Sequence, residues 1–130
     1  MIGIVIVAHG GLAKEYLAAV EHVVGKQSGI LAVAIQADHD RNSKQIEICN
    51  AADSVDVGHG VVVVTDMFGG SPSNLSLLAC SPRDRKIIFG ANMPMLIKLA
   101  KSRHLNVDQA VEQAKASGRK YIDSFDAQPK

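Results

Sequence analysis

Val61-Val62-Val63-Val64-Thr65-Asp66-Met67-Phe68-Gly69-Gly70-Ser71-Pro72 (VVVVTDMFGGSP, residues 61–72) contains a strand, a turn and a helix start in direct succession. A short, uninterrupted β-branched run suits a strand covered on both faces, as in a parallel sheet. The glycine pair Gly69-Gly70 then marks a turn. Ser71 followed by Pro72 reads as an N-cap and first helical position, because serine accepts from an orphan amide and proline has no amide to leave unpaired. A helix is expected from there to just before Pro82.

The same pattern recurs on either side. Ile2–Ala8, Ile30–Gln36 and Ile87–Ala91 are further apolar, β-branched runs, and helical periodicities separate them. Leu12, Tyr16, Ala19, Val20, Val23 and Val24 form one stripe, with Gly25 as a C-terminal stop. Ile48, Ala52 and Val55 share a side of a weaker helix over about 40–55. Pro94 after Asn92 opens a helix to about His104, and Asn106 caps another, carrying Val107, Ala110, Val111 and Ala114, that Gly118 stops. The expected architecture is an α/β fold: one doubly wound, mainly parallel sheet of four strands with helices on both faces. Residues 1–130 are expected to form a single domain. Tyr121–Phe125 reads as a short C-terminal edge strand.

Composition narrows the function classes. The chain has 130 residues, of which 47% are hydrophobic and 21% charged, an ordinary globular balance that excludes disorder and collagen-like repeats. Fourteen basic against thirteen acidic residues give a formal charge of +1, so no electrostatic footprint for nucleic acid or anionic lipid is present. The opening apolar run is too short for a signal peptide or a membrane span, and a cytoplasmic protein is expected. Cys49 and Cys80 have no metal-ligand spacing and are expected to be buried thiols.

In such folds ligands bind outside the carboxyl ends of the strands. The first strand runs into Ala8-His9-Gly10-Gly11, which puts an imidazole at a strand tip. Asp66 ends the third strand, where its carboxylate can accept from one imidazole nitrogen and leave the other as a nucleophile. Gly69, Gly70 and Ser71 suit an oxyanion, because converging backbone amides and a helix N-terminus hold phosphoryl oxygens without a lysine. Phe68, Asn92 and Pro94 are expected to wall the same site. His22, His59 and His104 fall on helices or at amino ends and read as surface or packing residues. Asp38-His39-Asp40 contains metal-ligand residue types, but a solvated loop with an N-cap is the better reading. No metal and no cofactor are expected. Neither glycine pair fits a nucleotide-binding spacing.

His9, the segment from Thr65 to Asn74 (TDMFGGSPSN) and the segment from Gly90 to Leu96 (GANMPML) together resemble the mannose-family IIA component of the phosphoenolpyruvate-dependent sugar phosphotransferase system. The resemblance spans essentially the whole chain. It implies that His9 accepts a phosphoryl group from the phosphocarrier HPr and passes it to a IIB component for sugar uptake. The protein would then be a phosphotransferase with a phosphohistidine intermediate. Asp66 falls on the family's orienting aspartate and Gly69, Gly70 and Ser71 on its phosphoryl-cradling loop. The resemblance also implies a homodimer in which Tyr121–Phe125 adds to the partner's sheet. No fused IIB domain or Ala/Pro-rich linker follows the last strand, so a separate IIB protein is the expected acceptor, with membrane association only through a IIC/IID complex. The alternatives are a regulatory module read in one phosphorylation state and a IIA domain donating to a dihydroxyacetone kinase.

Overall fold

Alternation inside the valine- and isoleucine-rich runs divides the core in two. Ile2, Ile4, Ile6 and Ala8, with Val62 and Val64, pack into one hydrophobic cluster. Their neighbours Val5, Val7, Val61 and Val63 face the opposite way, into a second. The two-residue side-chain period of a strand requires this division when both faces are covered. The computed structural model describes residues 1–38, 40–67 and 84–128.

Within these residues four strands, β1 (Gly3–His9), β2 (Ile30–Ile35), β3 (Val61–Thr65) and β4 (Arg85–Ile88), form one sheet in the order β2-β1-β3-β4. Every pairing is parallel, with Val7 opposite Val33 on one side and Thr65 on the other. The helices are α1 (Leu12–Val24), α2 (Arg41–Val55), α3 (Met93–Lys101) and α4 (Val107–Lys120). Residues of α1, α3 and α4 join the first cluster and those of α2 the second, so helices cover both faces as expected. Among the described residues no helix is long and apolar enough to cross a membrane.

Local chemistry sets the helix ends. Asp40 caps α2, its carboxylate accepting from the Ser43 amide at 3.3 Å and the Ser43 hydroxyl at 2.6 Å. Asn92 and Asn106 cap α3 and α4, accepting from the amides of Met95 at 3.0 Å and Gln109 at 2.8 Å. Gly25 ends α1 with φ of 90°, the left-handed region that favours glycine.

Four boundaries depart from expectation. The last strand is Arg85–Ile88 rather than Ile87–Ala91. Its start is polar because Arg85 pairs with Asp53 at 2.7 Å and Asp56 at 3.2 Å at the end of α2, and its end comes early because Gly90 takes a φ of 74°. α3 begins at Met93 under the Asn92 cap and closes at Lys101, three residues short of His104. Gly118 does not stop α4; it lies buried within the helix, where a Cβ would meet Met95 at 3.1 Å. It is a close helix–helix contact, for which glycine serves as well as for a stop. In α1 the buried stripe is Ala13 and Val20 with half-buried Tyr16, Leu17 and Val24, while Leu12 and Val23 face outward.

Tyr121–Phe125 forms no strand with its own chain's sheet and leaves Tyr121, Ile122 and Phe125 exposed. Cys49 is a free thiol, half-buried against the second cluster. The helix expected from Ser71, together with Cys80 and His39, lies outside the described residues.

At the amino end of the sheet Gly60 has a φ of 89°, and a Cβ there would collide with Val107 Cγ2 and meet the Asp84 carbonyl at 2.6 Å. Gly60→Ala is expected to lower stability by about 2–4 kcal/mol through backbone strain and overpacking. A urea midpoint equal to wild type contradicts this. Beside it, the Gly58 amide foremost holds the Asp56 carboxyl below the usual range; burial opposes it as the next-largest effect, and Arg85 adds to the lowering. A depressed folded-state value contributes stability above the unfolded pKa and loses it as pH falls through the folded one. Asp56→Asn should therefore be less stable than wild type near pH 7, and the gap should close below about pH 4. A gap that persists in acid rules the carboxylate out as its source.

Candidate functional site

The sheet order makes β1 and β3 neighbours. The chain leaves β1 through α1 towards β2 on one side, whereas β4 lies on the other side of β3. The carboxyl ends of β1 and β3 therefore flank the switch point at which ligands bind in open α/β sheets. Val7 stands opposite Thr65, so His9 projects two residues beyond that pair and Asp66 one. Strand register alone brings the two together.

Asp66 Oδ2 accepts two hydrogen bonds from His9, one from the backbone N–H at 3.1 Å and one from ring Nδ1 at 2.9 Å. The doubled contact holds the imidazole against the carboxylate and makes Nδ1 the protonated nitrogen, since only an N–H can donate to it. Nε2 then carries the lone pair. The His9 side chain is 48% exposed and that of Asp66 13%, so the carboxylate sits beneath a ring that a partner can reach. Asp66 Oδ1 is buried and has no hydrogen-bond partner among the described residues.

Two glycines follow His9. Gly10 turns the chain with a φ of 59° and donates to the Ile35 carbonyl at 2.9 Å. Gly11 occupies the N-cap of α1 without a side-chain cap. The first turn of α1 therefore begins within three residues of the imidazole, and its free amides and partial positive charge lie at the same end of the sheet.

The remaining expected site residues divide into two groups. Phe68, Gly69, Gly70 and Ser71 lie outside the described residues. Asn92 and Pro94 are engaged in structure: Asn92 caps α3 and donates to the Gly118 carbonyl at 3.0 Å, and Pro94 lines a shallow groove with Ile97, Lys98 and Tyr121. His22 and His104 are exposed, and His59 Nδ1 lies 2.9 Å from the Met1 amine at the amino end of the sheet. Among the described residues no three His, Cys, Asp or Glu side chains are grouped to hold a metal ion.

Sequence reasoning missed Tyr16. Its spacing marks it only as part of the apolar stripe of α1, yet its hydroxyl donates to the Ala91 carbonyl at 3.1 Å. Burial raises its pKa, and the negative charge of Asp66 raises it further. The signal was available: it is the one polar tip in an otherwise aliphatic stripe, and buried tyrosines find partners for their hydroxyls.

Comparison with known proteins supplies the rest. The EIIA-man family model, described as the PTS system fructose IIA component, matches residues 3–115. The mannose-specific EIIAB component of the phosphotransferase system from Escherichia coli K12 is 30% identical over 98% of the chain, which spans 41% of that protein's length. A phosphotransferase system component EIIA from Streptococcus agalactiae superimposes with a TM-score of 0.85 at 28% identity, covering 96% of this chain and 98% of that one. The mannose/sorbose-specific IIA subunit from Enterococcus faecalis shares the fold, with a TM-score of 0.86 at 24% identity and coverage of 99% and 97%.

Proposed function

Because this chain belongs to the EIIA-man family of phosphotransferase system IIA components, we propose that it is a phosphoryl carrier in which His9 Nε2 takes a phosphoryl group from HPr and gives it to a IIB component. IIA components are phosphotransferases as a class, with HPr as donor and IIB as acceptor in general. The observation that carries the reading here is the 2.9 Å contact between His9 Nδ1 and Asp66 Oδ2 beneath a half-exposed ring.

The chemistry follows from that contact. As Nε2 attacks phosphorus, the bond from phosphorus to the donor's histidine nitrogen breaks, and the ring gains positive charge that Asp66 stabilises. Transfer to the IIB component reverses the roles, with Nε2 leaving. In-line positioning and amide donors supply the catalysis, with no covalent chemistry beyond the exchange itself. Gly69, Gly70 and Ser71 are assigned to the phosphoryl oxygens on their motif. A IIA carrier of this kind works on the cytoplasmic side of a transport complex, and residues 1–130 are read as its single IIA domain.

Incubation with phosphoenolpyruvate, enzyme I and HPr tests the proposal. It should yield an acid-labile phosphoryl label on the chain, close to one per molecule. No label, or one that survives acid, overturns it.

The same reading includes a homodimer built through the last segment. β4 is an edge strand, and a groove of about 470 Å³ beside it is lined by Ile87, Phe89, Met95, Val111 and Ile122. Ile122 is exposed at that groove, and Tyr121 and Phe125 of the same segment are exposed too, as apolar side chains meant for a partner would be. A doubly substituted variant, Ile122→Asp with Phe125→Asp, is expected to sediment as a monomer where the wild type sediments as a dimer. Equal sedimentation contradicts the arrangement.

A further inference from the structure

We infer that Tyr16 is a positioning residue for the His9–Asp66 pair, acting through the backbone of Ala91. This rests on the carrier reading for its consequence in transfer, although its geometric content stands apart from it. The ladder between β3 and β4 ends at Val64 and Ile88, one residue short of Thr65. Beyond it the chain reverses at Gly90, whose φ is 74°, and returns Ala91 to the end of β3. There the Ala91 N–H donates to the Thr65 carbonyl at 3.0 Å, and the Ala91 carbonyl accepts from the Tyr16 hydroxyl at 3.1 Å. One peptide residue thus ties α1 to the strand end immediately before Asp66.

Asp66 needs that support. Its Oδ2 takes both His9 donors, while Oδ1 is buried with no donor among the described residues. Among the described residues no hydrogen bond on the Oδ1 side fixes the rotamer, so the backbone at Thr65 and Asp66 bears directly on the carboxylate direction. Tyr16 is well placed to govern that backbone. It follows His9 by seven residues across the Gly10-Gly11 turn, and its ring packs against the first core cluster together with Ala91. The hydroxyl lies close enough for the Asp66 charge to raise its pKa. A hydrogen bond anchored on a packed ring transmits position better than one from a mobile surface chain.

A tyrosine that merely fills space would satisfy its hydroxyl on any nearby carbonyl, so the test must read His9 itself. Tyr16→Phe keeps the ring and removes only the hydroxyl. Ring nitrogen-15 spectra of the full chain report the His9 tautomer, and circular dichroism checks the fold. In wild type His9 is expected as the Nδ1–H form; in Tyr16→Phe that fraction should fall. Transfer from phospho-HPr at saturating donor should slow roughly two- to tenfold, the range of one neutral hydrogen bond. An unchanged tautomer signature overturns the inference whatever happens to the rate, because a rate loss alone is what lost packing would give. If the wild type takes no phosphoryl group, the carrier reading fails, and the tautomer comparison still decides this one. If Tyr16→Phe loses its fold, Tyr16→Met, which keeps bulk and lacks the hydroxyl, is read by the same spectra.

Discussion

His9→Ala is expected to reduce phosphoryl labelling to background, a loss of at least about 10³-fold, with the fold retained. The reason is positional. His9 is the last residue of β1, belongs to neither core cluster and has a half-exposed side chain. Its backbone N–H still reaches Asp66 Oδ2 without the ring, so stability should change by less than about 1 kcal/mol. None of the other described histidines substitutes for it. His22 sits in the last turn of α1, while His59 and His104 border a cavity at the amino end of the sheet, away from the strand exits. Phosphoprotein gels after incubation with phosphoenolpyruvate, enzyme I and HPr measure the effect. Labelling of His9→Ala at the wild-type rate removes His9 from the mechanism.

Asp66→Asn separates charge from shape. The carboxamide fits the same 13% exposed position but brings no negative charge to the imidazole, and can present either an oxygen or an amide group to Nδ1. With the amide group towards the ring, Nδ1 becomes the acceptor, Nε2 carries the proton and the nucleophilic lone pair is lost. With the oxygen towards it, the tautomer survives but the positive charge that develops on the ring goes uncompensated. Both outcomes slow transfer, by about 10²-fold, the lower end of what a positioned acid or base contributes. Stopped-flow or quenched-label kinetics with phospho-HPr give the rate, and a melting curve close to wild type shows that the loss is chemical. A rate within twofold of wild type would show that orientation by Asp66 does not matter.

Strand recognition from sequence succeeded where burial was uniform. Val61–Val64 and Ile4–Val7 are buried on both faces, so their composition leaves no alternative to a covered strand. It found β4 but misplaced its ends: Arg85 has a nearly buried side chain yet looks like a loop residue, because Asp53 and Asp56 that neutralise it lie far back in the chain. Gly118 shows the same limit: a glycine that ends a helix and one that lets two helices touch are indistinguishable without the neighbour, here Met95. The strand exits proved the more legible part. His9 ends one unmistakable strand and Asp66 follows another, and once β1 and β3 are adjacent their meeting follows from register. The polar tip of Tyr16 is legible in the stripe of α1, but its partner is not, because the Ala91 carbonyl is a backbone group 75 residues away that no side-chain pattern announces.

Which imidazole nitrogen is free decides how His9 reacts. Phosphorus-31 and ring nitrogen-15 spectra of the phosphorylated chain, recorded at alkaline pH to preserve the phosphohistidine, identify the substituted atom. The 2.9 Å contact of Nδ1 with Asp66 Oδ2 predicts a single phosphohistidine on Nε2 of His9. A phosphoryl group on Nδ1, or on any other residue, would contradict it.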